Sequence, residues 1–412
     1  MFNKLLKGFA VLAALFLVLV GPTAYFWIQW MMPGNGLPAA TDARFSHQVA
    51  ANSELVADLE RILVEHHSQS GAPSFSAAIS RDGELLWAGA SGFAELESPV
   101  PATSNFVYRL GSVSKALTGT LLGRLADAGL IDLDARVADL APELPHDLHA
   151  ITVRQLASHT GGIRHYSRMP TWLPAHHESI TAQHYESVED GLALFIDDDL
   201  LFPPGSDFNY STFGYSLLSY LMERATRLDF ATLVNQYLNA ALSTDLRLDE
   251  LNVDMPDRAT TYTTAKGRWG PAYPADPSYK WAGGGIVATP SDLVWIGQAL
   301  LGDTFISMPI RAGMWSPVPI TGSNTNPQNY GIGWRVDLST RTLGEDQPLQ
   351  MIHHGGTQMG GVAFWAIYPE LGISVAVASN TGERAVRGDV QDAAYALVRA
   401  VVTAADDQTL GR

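Results

Sequence analysis

Apolar residues are distributed along this chain in three different patterns, and each predicts a different kind of element. The first is an unbroken run: residues 8–32 carry no charge, which is long enough to cross a hydrocarbon core. Lys4 and Lys7 precede it, and Tyr25, Phe26, Trp27 and Trp30 crowd its far end, where amphipathic rings favour a membrane interface. The second pattern is helical. Leu55, Val56, Leu59, Ile62 and Leu63 follow a cap at Asn52 or Ser53, and Ala116, Leu117, Thr120, Leu121, Leu125 and Ala128 precede a stop at Gly129. Residues 152–158, 216–227, 293–301 and 389–402 read the same way. The third pattern is that of strands. Residues 75–80 and 84–90 flank an Asp82-Gly83 hairpin signal, residues 330–334 begin a strand region, and 362–368 and 373–378 are apolar runs joined by a turn. Strands at both ends with helices between predict an α+β domain, its antiparallel sheet built from both chain ends and flanked by helices.

These patterns divide the chain. Residues 1–32 form an N-terminal transmembrane helix serving as anchor, 33–51 a polar linker opened by Pro33-Gly-Asn-Gly-Leu-Pro38, 52–402 the folded domain and 403–412 a tail. Positive charge before the apolar run predicts a single-pass inner-membrane protein with its domain on the periplasmic side. A cleaved signal peptide and a secreted domain is the alternative, although Pro22-Thr23-Ala24 makes a poor cleavage site. A net charge of −16 excludes nucleic acid as a partner. Cysteine is absent, so there are no disulfides and no thiolate metal sites.

Candidate chemistry begins at Arg109-Leu-Gly-Ser-Val-Ser-Lys-Ala-Leu-Thr118, which places Ser112 and Lys115 on one face at a helix start. A serine hydroxyl needs a neighbouring base, and a lysine serves once burial lowers its pKa. The plainer reading is a capping serine beside an exposed lysine. Tyr210 alone reads as a packed aromatic and Thr212 as a helix cap or a site residue. His165, His176, His177 and His184 lie in an irregular excursion over 163–199. They lack firm metal-ligand spacing, so a solvated loop is expected, with no metal and no cofactor.

Three stations in order, Ser112-x-x-Lys115, Tyr210-Ser-Thr212 and His353-His-Gly-Gly356, resemble the serine β-lactamase and penicillin-binding-protein-like family. Ser158-His-Thr-Gly-Gly162, Ala282-Gly-Gly-Gly285 and Tyr330-Gly-Ile-Gly-Trp334 support the likeness. Residues 158–166 and 210–215 are especially similar to the mitochondrial serine β-lactamase-like branch of that family. The resemblance implies a β-lactamase/DD-peptidase-like fold with a mainly helical subdomain. It also implies a serine hydrolase acting through an acyl-enzyme on Ser112, with Lys115 and Tyr210 as proton shuttles and a small-molecule or peptide substrate. The N–H of Gly356 is expected to join that of Ser112 as an oxyanion hole. Thr212, His353, His354 and Gly355 are expected to line the substrate site; His353-x-Gly355 matches the family's His-x-Gly-Gly-Thr pattern best, and His354-x-Gly356 also satisfies His-x-Gly. Thr212 stands where most relatives carry Asn, and histidine replaces the lysine that anchors a substrate carboxylate. Ester or peptide hydrolysis therefore ranks above D-Ala-D-Ala carboxypeptidase or weak β-lactamase activity. A non-catalytic binding or assembly protein, or a metal-dependent hydrolase using the central histidines, are the readings from other classes.

Overall fold

The computed structural model describes residues 34–38, 44–49, 53–166, 178–382 and 386–410, with Ala24 and Ile28 as isolated positions and no side-chain detail for 44–49 and 406–410. The expected membrane segment therefore lies outside the described residues, as do His176 and His177. No helix among the described residues is long and apolar enough to cross a membrane.

The core of the molecule is one antiparallel sheet. Its strands are β2 (Arg44–Val49), β3 (Ser74–Arg81), β4 (Glu84–Glu95), β7 (Arg335–Ser339), β8 (Leu349–Gln358), β9 (Gly361–Tyr368) and β10 (Ile373–Ser379), where β5 (Tyr262–Ala265) and β6 (Arg268–Pro271) form a separate hairpin. The spatial order is β7-β8-β9-β10-β3-β4-β2, so β10 from the C-terminal end pairs with β3 from the N-terminal end. Every residue of β9 and β10 is buried, because both faces of the sheet are covered. One face packs on α1 (Ser53–Ser70) and the C-terminal helix Val386–Leu410, through Phe75, Ile79, Phe364 and Val377 against Leu59, Leu63, Val390 and Leu397. The other packs, through Ala78, Trp365, Ile367 and Ala376, on α2 (Val113–Asp127) and the helical layer behind it.

Helix α2 is buried on every side from Val113 to Leu122 except for its cap. It runs between the sheet and α3 (Thr212–Thr226), which explains why its sequence lacks a polar face.

Three expectations change here. The span 33–51 is not simply a linker. β1 (Asn35–Gly36) pairs with β6, and β2 adds to the edge of β4, since an unpaired strand edge is satisfied by whatever extended chain lies beside it. The helix expected from 216 begins at Thr212, where the cap lies inside the Tyr-Ser-Thr motif. The final helix continues to Leu410 through the expected tail.

Candidate active site

The sheet and the helical layer meet at the N-terminus of α2. Gly111 has a φ of +51°, and a Cβ there would stand 2.8 Å from the backbone nitrogen of Thr357. Only glycine allows this turn against β8. Ser112 follows as the N-cap, yet its hydroxyl makes no capping bond and remains available. One turn further on, Lys115 is fully buried. Its Nζ lies 3.4 Å from Ser112 Oγ, 3.0 Å from Thr212 Oγ1 and 2.5 Å from the Gly283 carbonyl oxygen.

Burial drives the Lys115 pKa well below the usual lysine range, and the charges of Lys280 and Arg335 push it the same way. A neutral amine has two N–H donors and one lone pair. The Gly283 carbonyl can only accept, and Thr212 Oγ1 takes the second donor, so the lone pair is left for the Ser112 hydroxyl. This is the geometry of a base.

Thr212 reaches Lys115 because the capping task falls to its neighbour. Ser211 is the N-cap of α3, and its hydroxyl accepts from the Gly214 N–H. The expected capping role of Thr212 is therefore replaced by contact with the amine. Tyr210 presents its hydroxyl within hydrogen-bonding reach of Ser112, while Lys115 Nζ sits 4.8 Å above its ring. Burial pushes its phenol up to about 12, opposed by the Ser112 hydrogen bond and by Arg335 and Arg387. The phenol is thus a proton carrier in its neutral form.

Strand alternation separates the two histidines of the third motif. His354 faces α2, with Nε2 2.9 Å from the Tyr330 hydroxyl and its ring 6.3 Å from that of Tyr210. His353 faces the opposite layer, bonded to Asp337 Oδ2 at 2.8 Å and set against Phe364. His353 and the missing side chain of Gly355, which would point towards Gln391 and Arg387, therefore lie away from Ser112.

The same alternation corrects the expected oxyanion donor. Met359 and Gly360 form a two-residue turn closed by Gln358 and Gly361, with Gly356 opposite Ala363. A closing pair of this kind is hydrogen-bonded, and so is every second pair behind it. The N–H of Gly356 is consequently turned into the sheet, and that of Thr357 faces the cleft. Gly356 serves differently: a Cβ there would come within 1.9 Å of the Leu110 carbonyl oxygen, so its bareness lets the strand lie against Ser112.

A cavity of about 180 Å³ opens beside Ser112, and Thr212, Thr357 and Gln358 contribute to its walls. It also contains two residues that the motifs did not single out. His165 accepts from the Thr212 N–H through Nδ1, and burial lowers its pKa to about 3. Lys280 is 6 % exposed. It stands two residues before the Ala282-Gly-Gly-Gly285 segment, and an isolated lysine before a glycine run was the available signal. His184 pairs with Asp276 instead, at 3.1 Å.

A serine beside a buried lysine and a phenol, at the junction of this sheet and helical layer, points to the β-lactamase-related family of serine hydrolases. The profile of the beta-lactamase family matches residues 56–400, and the chain belongs to that family. It is 28 % identical to the mouse mitochondrial serine beta-lactamase-like protein LACTB over 89 % of this chain and 81 % of that one. To penicillin-binding protein 4* of Bacillus subtilis it is 25 % identical over 67 % and 62 %. Among solved structures, D-amino acid amidase from Ochrobactrum anthropi superposes with a TM-score of 0.69 at 21 % identity, over 85 % of this chain and all of that one. The octameric penicillin-binding protein homologue of Pyrococcus abyssi gives 0.67 at 21 %, over 84 % and 77 %. The fold is that of β-lactamases and penicillin-binding proteins.

Proposed function

We propose that the protein hydrolyses an ester, amide or peptide bond through an acyl-enzyme on Ser112. The observation that carries this reading is the Lys115 amine, whose two donors are occupied by Thr212 and Gly283 while its lone pair meets the Ser112 hydroxyl. Lys115 takes the serine proton as Oγ attacks the carbonyl carbon. The resulting oxyanion is held by the N–H groups of Ser112 and Thr357, each donor being worth on the order of 3 kcal/mol. Tyr210, still protonated at neutral pH, hands its proton to the leaving atom and is reprotonated from Lys115. Water then attacks the acyl carbon as Lys115, neutral again, takes the water's proton and returns it to the departing Ser112 Oγ. Thr212 and His165 hold the amine and the start of α3 in place, and His354 braces Tyr330 behind Tyr210.

His354 is neutral, because burial and nearby Arg335 hold its pKa well below the ordinary value. It therefore offers no fixed charge where many β-lactamases have lysine, which ranks β-lactam hydrolysis and D-Ala-D-Ala carboxypeptidase activity below ester and amide hydrolysis. The proposal includes an N-terminal membrane segment over residues 8–32, followed by a domain spanning 52–402 outside the cytoplasm. Its support is the length of the apolar run and its flanking charges. Washing membranes with alkaline carbonate tests it, because an anchored protein stays with the pellet.

The direct test uses a fluorophosphonate probe. The protein is expected to label at Ser112, with labelling abolished in Ser112→Ala. An unlabelled protein that still binds peptides would favour the non-catalytic reading.

A further inference from the structure

The cavity beside Ser112 has a charged wall that the reaction just described does not use. Lys280 lines it, with its stem running past Gly284, where a Cβ would stand 3.8 Å from the Lys280 Cδ. Its Nζ donates to the Ser179 carbonyl at 2.8 Å and lies 5.3 and 5.1 Å from the ring centres of Tyr166 and Tyr279. An ammonium has three donors, and among the described residues this one makes a single hydrogen bond and meets two aromatic faces. Acidic side chains on the flanking elements are engaged elsewhere. Asp249 is bound by Arg109 and Arg258, each at 2.6 Å, Glu178 by Arg164 at 2.8 Å, and Asp276 by His184. No carboxylate among the described residues forms an ion pair with Lys280. Burying a cation without its counterion is costly: desolvation, with Arg109 acting the same way and Asp249 opposing, lowers the Lys280 pKa to about 7, and the side chain lines the nucleophile's cavity.

We propose that this cavity is the acyl subsite and that it takes an acyl group bearing a carboxylate, which Lys280 holds. The inference rests on the hydrolase reading above and adds the substrate class. The side of the cleft follows from the proton path. The leaving group departs next to Tyr210, and neither Tyr210 nor His354 lines this cavity. The acyl portion accordingly extends the other way, towards Lys280. The volume of about 180 Å³ holds roughly six water-sized groups, room for a short acidic chain of succinyl or glutaryl size or for an acidic amino-acid side chain. The cationic partner missing at His354 is thus supplied by a different element, and a carboxylate bound beside Lys280 favours its charged form.

The test compares 4-nitrophenyl hydrogen glutarate with 4-nitrophenyl valerate. In the wild-type protein kcat/KM is expected to favour the glutarate ester by about tenfold or more. Lys280→Met should abolish that preference, and Lys280→Arg should restore part of it, with fluorophosphonate labelling of Ser112 reporting an intact fold in each. A wild-type protein that labels but prefers the valerate ester, or a ratio unchanged in Lys280→Met, overturns the assignment and leaves the hydrolase reading standing. Calorimetric binding of glutarate to Ser112→Ala reads the subsite without turnover, even if Lys280→Met fails to fold. Binding supports the assignment, and its absence overturns it. Failure of wild-type labelling would instead count against the hydrolase reading.

Discussion

Replacing Thr212 by valine keeps the shape of a fully packed residue and removes one oxygen. That oxygen accepts from Lys115 Nζ at 3.0 Å, and Thr212 is only 2 % exposed. In the variant the buried amine has one N–H without a partner. Such a donor costs about 1–3 kcal/mol, and the amine can lower that cost by turning a donor towards Ser112 Oγ, 3.4 Å away. A base that donates to its own nucleophile cannot deprotonate it. At 1.36 kcal/mol per decade, kcat/KM should fall by about five- to 160-fold. Thr212→Ser, which keeps the hydroxyl, should stay within a few-fold of wild type. Ester hydrolysis gives kcat/KM, the rate of fluorophosphonate labelling isolates the attack step, and a thermal melt confirms folding. If Thr212→Val labels and hydrolyses within twofold of wild type, the threonine does not orient the amine and the argument for Lys115 as base loses its support.

Three further measurements follow from the same structure. Because Lys115 must be neutral to act, kcat/KM should rise with pH and reach its plateau well below the usual lysine range, with no falling limb from Tyr210 until near its pKa of about 12; an ascending limb that persists to about pH 10, near the ordinary lysine value, would refute this. His67 is 2 % exposed between Ser91 and the Ala72 carbonyl, and burial lowers its pKa to about 4 from 6.5. The neutral form is the one that packs, so its contribution is complete above pH 6.5 and is lost as pH falls towards 4, about 3 kcal/mol in all. Urea unfolding should show this slope and His67→Gln should flatten it, whereas an unchanged slope would remove His67 from the account. Arg109 is 5 % exposed, pairs with Asp249 at 2.6 Å and donates to the Met359 carbonyl at 3.1 Å, pinning the turn that follows Thr357. Arg109→Met should cost about 3–5 kcal/mol, read as a lowered Tm together with reduced kcat, and an unchanged Tm would show that Arg258 alone satisfies Asp249.

Much of this molecule was legible from local pattern. The apolar strands from both ends and the helix behind Ser112 have periods that residues near in sequence enforce on one another, and a serine and a lysine one turn apart must meet if that turn is helical. Some of the pattern misled. The polar span 33–51 shows no strand period strong enough to be read, yet β1 and β2 form because strand edges of the folded domain lie beside them. The site's finer assignments depended on contacts across long separations. Which histidine faces Ser112, and whether Gly356 or Thr357 offers its N–H, turn on the register of β8 against β9, where a one-residue shift exchanges every face. Thr212 meets Lys115 across 97 positions and Gly283 meets it across 168. Lys280 reads in the sequence as an ordinary lysine before three glycines. That it forms no ion pair among the described residues follows from Asp249 and Glu178 being bound by arginines. Local sequence thus determined the elements and the reacting pair, whereas the pKa of that pair and the charge of its cavity came from burial and from which side chains were already partnered, and only tertiary packing decides these.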